Sequence, residues 1–480
     1  MEKTLKEKTT SALIWSFIDK FGQQIIYIIT GIVLGRILSP TDYGLLGYLL
    51  FFLAISTVLI GSGYNRALLN KSEIRQEELN ALLYYCVGMG LVIYLILFFC
   101  APLISQFYNK PSLTLYSRVI FLTIIFNSVM IIPAATLTKR MDLNGLAKAN
   151  ILSLLPASIL AVIAAIMGYG VWALIIQNVA FAALKALFYM YYCKWEPTKF
   201  CDFKILKELY SFSSRVLLIN LITATFNNVY YLLIGRFYPT SQLGFYTQAN
   251  KYQDIPTSLI RETFRSVSMS LLSEVSQDKE RLKRILSKMI KTVAFVGFPV
   301  MFGFILIAKP LFIVLITNKW LPSVPLFQIL CIAGICVIFT SVIEESILSK
   351  GKSGNLLTLE IIKRSIFIVL ILFTLKHGLQ ALAIGWAISW FISLILSIIL
   401  SKRIVGYSLF HFIKDCFPYF AISSVLCGIA YLITLPIQNN FLYIGVCIIF
   451  VGSLYLLACK IFKLDAAMDV ILSLLKKIKK

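Results

Sequence analysis

Apolar segments of roughly 20 residues recur from one end of this chain to the other, the length a helix needs to cross about 30 Å of hydrocarbon. No other feature narrows the fold as far. Backbone inside lipid must satisfy its own hydrogen bonds, which leaves helices or a closed barrel. The segments are unbroken Leu, Ile and Phe runs rather than alternating ones, so they argue helices. Fourteen fit the pattern, at 12–38, 44–63, 81–105, 114–136, 149–167, 171–192, 211–235, 242–266, 291–317, 324–348, 358–376, 381–400, 415–436 and 441–462. Only 14% of the 480 residues are charged, against about 25% in a water-soluble protein. The expected class is an all-α integral membrane protein with about fourteen transmembrane helices.

The net charge of +23 does not require a nucleic-acid partner. Fourteen crossings put both termini on one side, and the loops of that side collect the cations. They include Lys3, Lys6 and Lys8, then Arg66, Lys71 and Arg75, then Lys139, Arg140 and Lys148, and so on to the basic tail. The opposite loops carry little beyond Lys110, Lys319 and Lys376. Lys and Arg favour cytoplasmic loops, so both termini are expected in the cytoplasm. The outward connections are short, about eight residues at most, leaving no room for an external domain. Ser273–Lys291 and the tail beyond Leu464 read as amphipathic helices resting on anionic headgroups.

The chain also repeats its own opening. Gly35-Arg36 recurs as Gly235-Arg236 and Gly44 as Gly244, each shifted by 200 positions, and Pro40-Thr41 recurs one place off that register as Pro239-Thr240. This divides the chain into a six-helix bundle at 1–200, a second six-helix bundle at 201–405, and two added helices with a basic tail at 406–480. Six spans per copy keep the orientation, so the pseudo-axis should run along the membrane normal.

Polar residues inside the spans point to function, because a charge at mid-bilayer costs roughly 2.5–3.5 kcal/mol and faces a wet cavity or a partner. In the first span Ser16, Asp19, Lys20, Gln23, Tyr27 and Thr30 recur at helical steps. The seventh carries Asn220, Thr223 and Asn227, related to Lys20, Gln23 and Tyr27 by the same shift. The eighth is the most polar, with Thr247, Lys251, Asp254, Ser258, Arg261, Arg265 and Ser268 on one face. Lipid cannot solvate that face. Its cations, with Lys20, suit an anionic ligand, and phosphate or pyrophosphate oxygens are natural partners for Arg and Lys. The candidate binding residues are therefore Lys20, Gln23, Asn220, Thr223, Asn227, Lys251, Arg261 and Arg265. Asp19 and Asp254 are the candidate coupling carboxylates, for H+ or Na+. Glu344 and Glu345, near Lys363-Arg364, read as interfacial salt bridges. Arg118, Arg215, Lys185, Lys309, Lys363 and Arg364 sit near enough to span ends to snorkel.

Other chemistries fall away. Ten cysteines follow no metal-ligand spacing, and His377 and His411 stand in loops, so neither a metal site nor a cofactor is expected. Gly351-Lys352-Ser353 resembles the end of a nucleotide-binding loop, but the first required Gly falls on Ser346 and no strand precedes it. The chain reads as a carrier, not an enzyme.

With these features in place, LGRILSPTDYGLLGY (Leu34–Tyr48) and NKWLPSVPLFQIL (Asn318–Leu330) resemble the Wzx-type polysaccharide flippases. These form the polysaccharide-transporter branch of the multidrug/oligosaccharidyl-lipid/polysaccharide exporter superfamily. The likeness covers roughly residues 10 to 460 and is strongest to the colanic-acid-exporter-like branch. It implies translocation of undecaprenyl-pyrophosphate-linked oligosaccharide units across the bacterial cytoplasmic membrane, for O-antigen, capsule or exopolysaccharide assembly. It implies alternating access through a V-shaped cavity whose basic residues hold the pyrophosphate. Lys20, Lys251, Arg261 and Arg265 occupy places where the family tends to put cavity charges. The implied partners are the lipid-linked substrate, membrane lipids and polysaccharide polymerase machinery. Two rivals stand beside this reading. A cation-coupled multidrug or small-molecule antiporter expects an acidic cavity. A membrane glycosyltransferase or polymerase expects a long outward loop.

Overall fold

The computed structural model describes residues 5–70, 75–140, 142–198, 200–274 and 278–464. The chain forms two compact units, Met1–Gly244 and Phe245–Lys480. The first holds α1 (Leu5–Ile37), α2 (Pro40–Asn70), α3 (Gln76–Tyr108), α4 (Leu113–Ile120), α5 (Leu122–Lys139), α6 (Leu143–Ile166), α7 (Val171–Cys193), α8 (Lys204–Phe237) and the first turn of α9 (Thr240–Glu274). The second holds the rest of α9, then α10 (Lys279–Ile316), α11 (Ser323–Ser349), α12 (Ser353–Thr374), α13 (Leu379–Ile404), α14 (Leu409–Thr434) and α15 (Asn440–Ile461). The units follow packing, whereas the division at residue 200 follows the phase of the repeat.

The helices start and stop for local reasons. Ser39 caps α2: its backbone N–H and hydroxyl both donate to the Asp42 carboxylate, at 2.9 and 2.7 Å, and the Asp42 N–H donates back to the Ser39 hydroxyl at 3.2 Å. With Pro40 as the first helical residue this is a capping box on a proline start. Asp142 and Asp278 cap α6 and α10 by accepting from the N–H groups of Gly145 and Arg281. Between α6 and α7 the turn needs positive φ at Gly168 (81°) and Gly170 (54°), which glycine adopts without a Cβ penalty.

The repeat is visible in the helix ends. α1 stops at Ile37 and α2 starts at Pro40; α8 stops at Phe237 and α9 starts at Thr240, again a shift of 200. The two turns also touch. A Cβ on Gly44 would overlap the Thr240 carbonyl, and a Cβ on Gly244 would overlap the Pro40 carbonyl. The Tyr48 hydroxyl lies 2.9 Å from that of Thr240, and Arg236 donates to the Phe107 carbonyl at 2.6 Å while lying over its ring. Within the first unit α2 runs along α8, α6 packs between α1 and α7, and α3 rests on α4 and α5. In the second unit α10 touches α11, α14 and α15, and α11 packs on α13. Trp320, Phe312 and Phe327 are fully buried there, the two phenyl rings meeting edge-on at 5.3 Å. Elsewhere large apolar residues such as Phe99, Ile166, Phe373 and Ile449 lie exposed, as a surface facing lipid requires.

α4 and α5 form one rod, interrupted at Phe121, so among the described residues the fifteen α-helices make fourteen rods, each overlapping an expected segment. Eleven of the rods are long and apolar enough to cross a membrane, among the described residues. The other three are α1, α9 and α12; α1 and α9 carry two of the three polar faces, and α8, with the third, is among the eleven. One expectation is corrected. Among the described residues, 279–291 form no separate surface helix: Lys279–Ile316 is a single helix of 38 residues whose first turns bury Leu282, Leu286, Met289 and Ile290. Nothing in that stretch breaks a helix before Pro299, so the amphipathic part continues into the span. Residues 275–277 and the basic tail at 465–480 lie outside the described residues.

Candidate functional site

Polar constellations occur in both units. In the first, the Asp19 carboxylate on α1 accepts from the Gln23 amide at 2.7 Å, one helical turn away. It also accepts from the Asn150 amide of α6, at 2.9 and 3.1 Å to its two oxygens. Asn150 in turn accepts from the Tyr189 hydroxyl of α7 at 2.9 Å. A carboxylate can only accept, so the amide nitrogen must face Asp19 and the amide oxygen must face the phenol. Lys185, one turn before Tyr189, lies over the rings of Phe181 and Tyr189 at 5.3 and 5.4 Å and within Coulomb reach of Asp19. Three helices are thus joined through one carboxylate.

The sequence placed Asp19 and Gln23 on one face, and the structure joins them. It did not find Asn150, Tyr189 or Lys185. Lys185 belongs to a ring-lined cluster instead of reaching for headgroups. The available signal was that Lys185 and Tyr189 share a helical face and that Asp19, deep in an apolar span, needs partners. Lys20 is exposed and has no partner among the described residues. On α8, Asn220 is half-buried, while Thr223 and Asn227 are exposed, and the Thr223 hydroxyl donates to the Ile219 carbonyl of its own helix.

The second unit carries the cationic stripe of α9. Lys251 is partly buried and has no hydrogen-bonding or ionic partner among the described residues. Asp254 is exposed, within Coulomb reach of Arg261 and Glu262. Arg261 pairs with its chain neighbour Glu262 at 3.6 Å and lies within Coulomb reach of Asp254. Arg265 reaches across to α11, its Nε 3.1 Å from Oε1 of Glu345. Beside it Glu344 is held differently, by Lys363 of α12 and by the Ser397 hydroxyl of α13 at 3.0 Å. Lys363 also pairs with Glu360 at 3.2 Å and Arg364 with Glu360 at 3.0 Å. The expected salt bridges at Glu344 and Glu345 are present, but Glu345 takes its cation from α9. Pro256 interrupts the α9 hydrogen-bond ladder between Lys251 and Arg261.

Two apolar grooves lie apart from these clusters. One of about 280 Å³ runs between α1 and α6, lined by Ile29, Val33 and Ile159; another of about 300 Å³ runs between α10 and α15, lined by Phe304, Ile307 and Val451.

Comparison with known proteins follows from this geometry. Residues 33–325, more than half of the chain, match a family described as polysaccharide biosynthesis protein. The succinoglycan biosynthesis transport protein ExoT of Rhizobium meliloti is 23% identical over 337 residues, 69% of this chain and 68% of that one. The lipopolysaccharide biosynthesis protein WzxC of Escherichia coli is 22% identical over 389 residues, 80% of this chain and 77% of that one. Among solved structures the lipid II flippase MurJ, in an inward closed conformation, superposes with a TM-score of 0.77 at 16% identity. The match covers 96% of this chain and all of the other, and shows a common fold.

Proposed function

The chain belongs to the polysaccharide biosynthesis protein family, and from that premise we propose that it is a flippase for lipid-linked oligosaccharides. Its cargo would be an oligosaccharide repeat unit on a polyprenyl pyrophosphate, moved from the cytoplasmic to the outer leaflet by alternating access. The observation that carries the reading is α9: three cations along a membrane-length helix, one of them, Lys251, with no partner among the described residues. An unpaired ammonium held in or near hydrocarbon is costly unless a mobile anion visits it. A pyrophosphate supplies that anion, the amide and hydroxyl groups of Gln23, Asn220, Thr223 and Asn227 suit a sugar, and the polyprenyl chain stays in lipid.

The finer parts belong to the same proposal. Both termini lie in the cytoplasm, all fourteen rods cross the cytoplasmic membrane, and two six-helix bundles move against each other with α14 and α15 as additions. Asp19 and Asp254 carry the coupling ion, H+ or Na+, and the exported unit passes to a polymerase. Unchanged dependence of export on ion gradients in Asp254→Asn returns that residue to a structural role. The direct test is to delete the protein and analyse the lipid-linked intermediates of the inner leaflet. An undecaprenyl-pyrophosphate oligosaccharide should accumulate there as surface polysaccharide falls; unaltered intermediates and polysaccharide would contradict the proposal.

A further inference from the structure

The three cations of α9 are not equivalent. Lys251 has no hydrogen-bonding or ionic partner among the described residues, and Arg261 is met by Glu262 and Asp254 of its own helix. Arg265 is tied to a different helix through Glu345. That tie has the marks of an exchangeable contact. The approach runs from Nε to one carboxylate oxygen, Oε1, at 3.1 Å. The Arg265 side chain is 51% exposed, so much of the guanidinium remains open to solvent. The neighbouring carboxylate shows the opposite design. Glu344 meets Lys363, whose side chain is only 6% exposed, and accepts from Ser397 as well. Two consecutive glutamates on α11 therefore split their work, one fixed among α11, α12 and α13, the other lightly holding α9.

Resting on the flippase reading above, we infer that Glu345 is a resident stand-in for the substrate's pyrophosphate: it occupies Arg265 in the empty carrier and is displaced by an arriving diphosphate headgroup. Arg265 lies near the end of α9 away from Thr240, the end which that reading assigns to the cytoplasmic leaflet where the headgroup is made. A diphosphate carries more charge and more acceptor oxygens than the Glu345 carboxylate and suits the guanidinium fork, so exchange is favoured in one direction. From there Arg261 is one turn up the helix and Lys251 is ~21 Å from Arg265 along the axis at 1.5 Å per residue. The same exchange releases α9 from α11, so headgroup arrival and helix release become one event. Without substrate the bridge keeps Arg265 compensated; with substrate the Glu345 carboxylate, 15% exposed in the pair, returns to water.

The test uses the full chain in detergent micelles and geranylgeranyl diphosphate as probe, its affinity measured for the wild type, E345Q, R265Q and the double variant. E345Q removes the competing charge at constant shape and should bind roughly two- to five-fold more tightly, the range expected for releasing a partly exposed ion pair. R265Q should weaken binding, and in the double variant the gain from E345Q should vanish. E345D, which draws the carboxylate back by one methylene, should shift affinity the same way by less and serves if E345Q does not fold. Wild-type binding that K251Q weakens but E345Q leaves unchanged overturns the role of Glu345 while keeping the carrier a diphosphate binder. Binding by no variant, wild type included, overturns the diphosphate reading and this inference with it.

Discussion

Single residues here matter by what they must be paired with. Asp19 is the clearest case, because its carboxylate is held by two amides from two helices with a lysine nearby. Asn150→Leu removes a donor to Asp19 and the acceptor for Tyr189 together. Leaving such groups unpaired costs about 1–3 kcal/mol, so the variant should unfold at lower temperature in detergent. An unchanged melting temperature would mean that water replaces the amide without penalty. A helical repeat of polar residues can be read from sequence, and it correctly grouped Asp19 with Gln23. It cannot show which residue of another helix answers a charge, and so Asn150 goes unseen and Lys185 reads as snorkelling rather than as a neighbour of Asp19. Lys185 illustrates the physical limit: distance from a span end suggests a headgroup, but two aromatic rings and a carboxylate hold it within the protein.

At the scale of elements, close backbone contacts set the geometry. The turns opening α2 and α9 meet through Gly44 and Gly244, each with a carbonyl of the other turn where a Cβ would stand. Gly44→Ala or Gly244→Ala must push the two helix starts apart, costing about 1–3 kcal/mol as overpacking does. Both variants should be less thermostable, while Gly303→Ala, which meets open space, should not; equal effects at all three would refute a specific contact. The sequence showed these glycines as a repeat, but not that the repeated turns touch, since a repeat carries no distances. A second joint fixes α14 to α10. Asp415 accepts from Ser287 at 2.6 Å and from Tyr407 at 2.8 Å, with Lys291 at 4.0 Å. Burial, and then the Asp415 charge beside it, push the Tyr407 phenol up, which keeps it a donor. Asp415→Ala leaves those donors without their acceptor and should cost about 1–3 kcal/mol. Protection of the Tyr407–Asp415 segment in hydrogen exchange should fall, and unaltered protection would contradict a joint at that place. Here too the sequence misled: Ser287 and Lys291 looked like the polar face of a surface helix, because their partner lies 128 residues away from Ser287.

For the whole molecule, the features legible in advance were those fixed by lipid. Helical class and the places of the apolar segments follow from hydropathy and backbone hydrogen bonding, and among the described residues a helical rod overlaps each expected segment, eleven of them long and apolar enough to cross a membrane. Among the described residues, α1, α9 and α12 fall outside the eleven candidate spans; the predicted site residues lie on α1 and α9, and on α8, which is one of the eleven. Charged groups such as Lys251, Arg261 and Arg265 set α9 apart from an apolar span, since charge in hydrocarbon is costly without a partner. In the proposed reading, Lys251, Arg261 and Arg265 are the physical means of holding the cargo. The most direct measurement is flipping of a fluorescent polyprenyl-pyrophosphate oligosaccharide by the purified protein in proteoliposomes. Wild-type protein should speed translocation above protein-free vesicles, and Lys251→Ala should slow it at least about ten-fold, the equivalent of ~1.4 kcal/mol. Wild-type vesicles no faster than empty ones, or a Lys251→Ala variant as fast as wild type, would contradict the account.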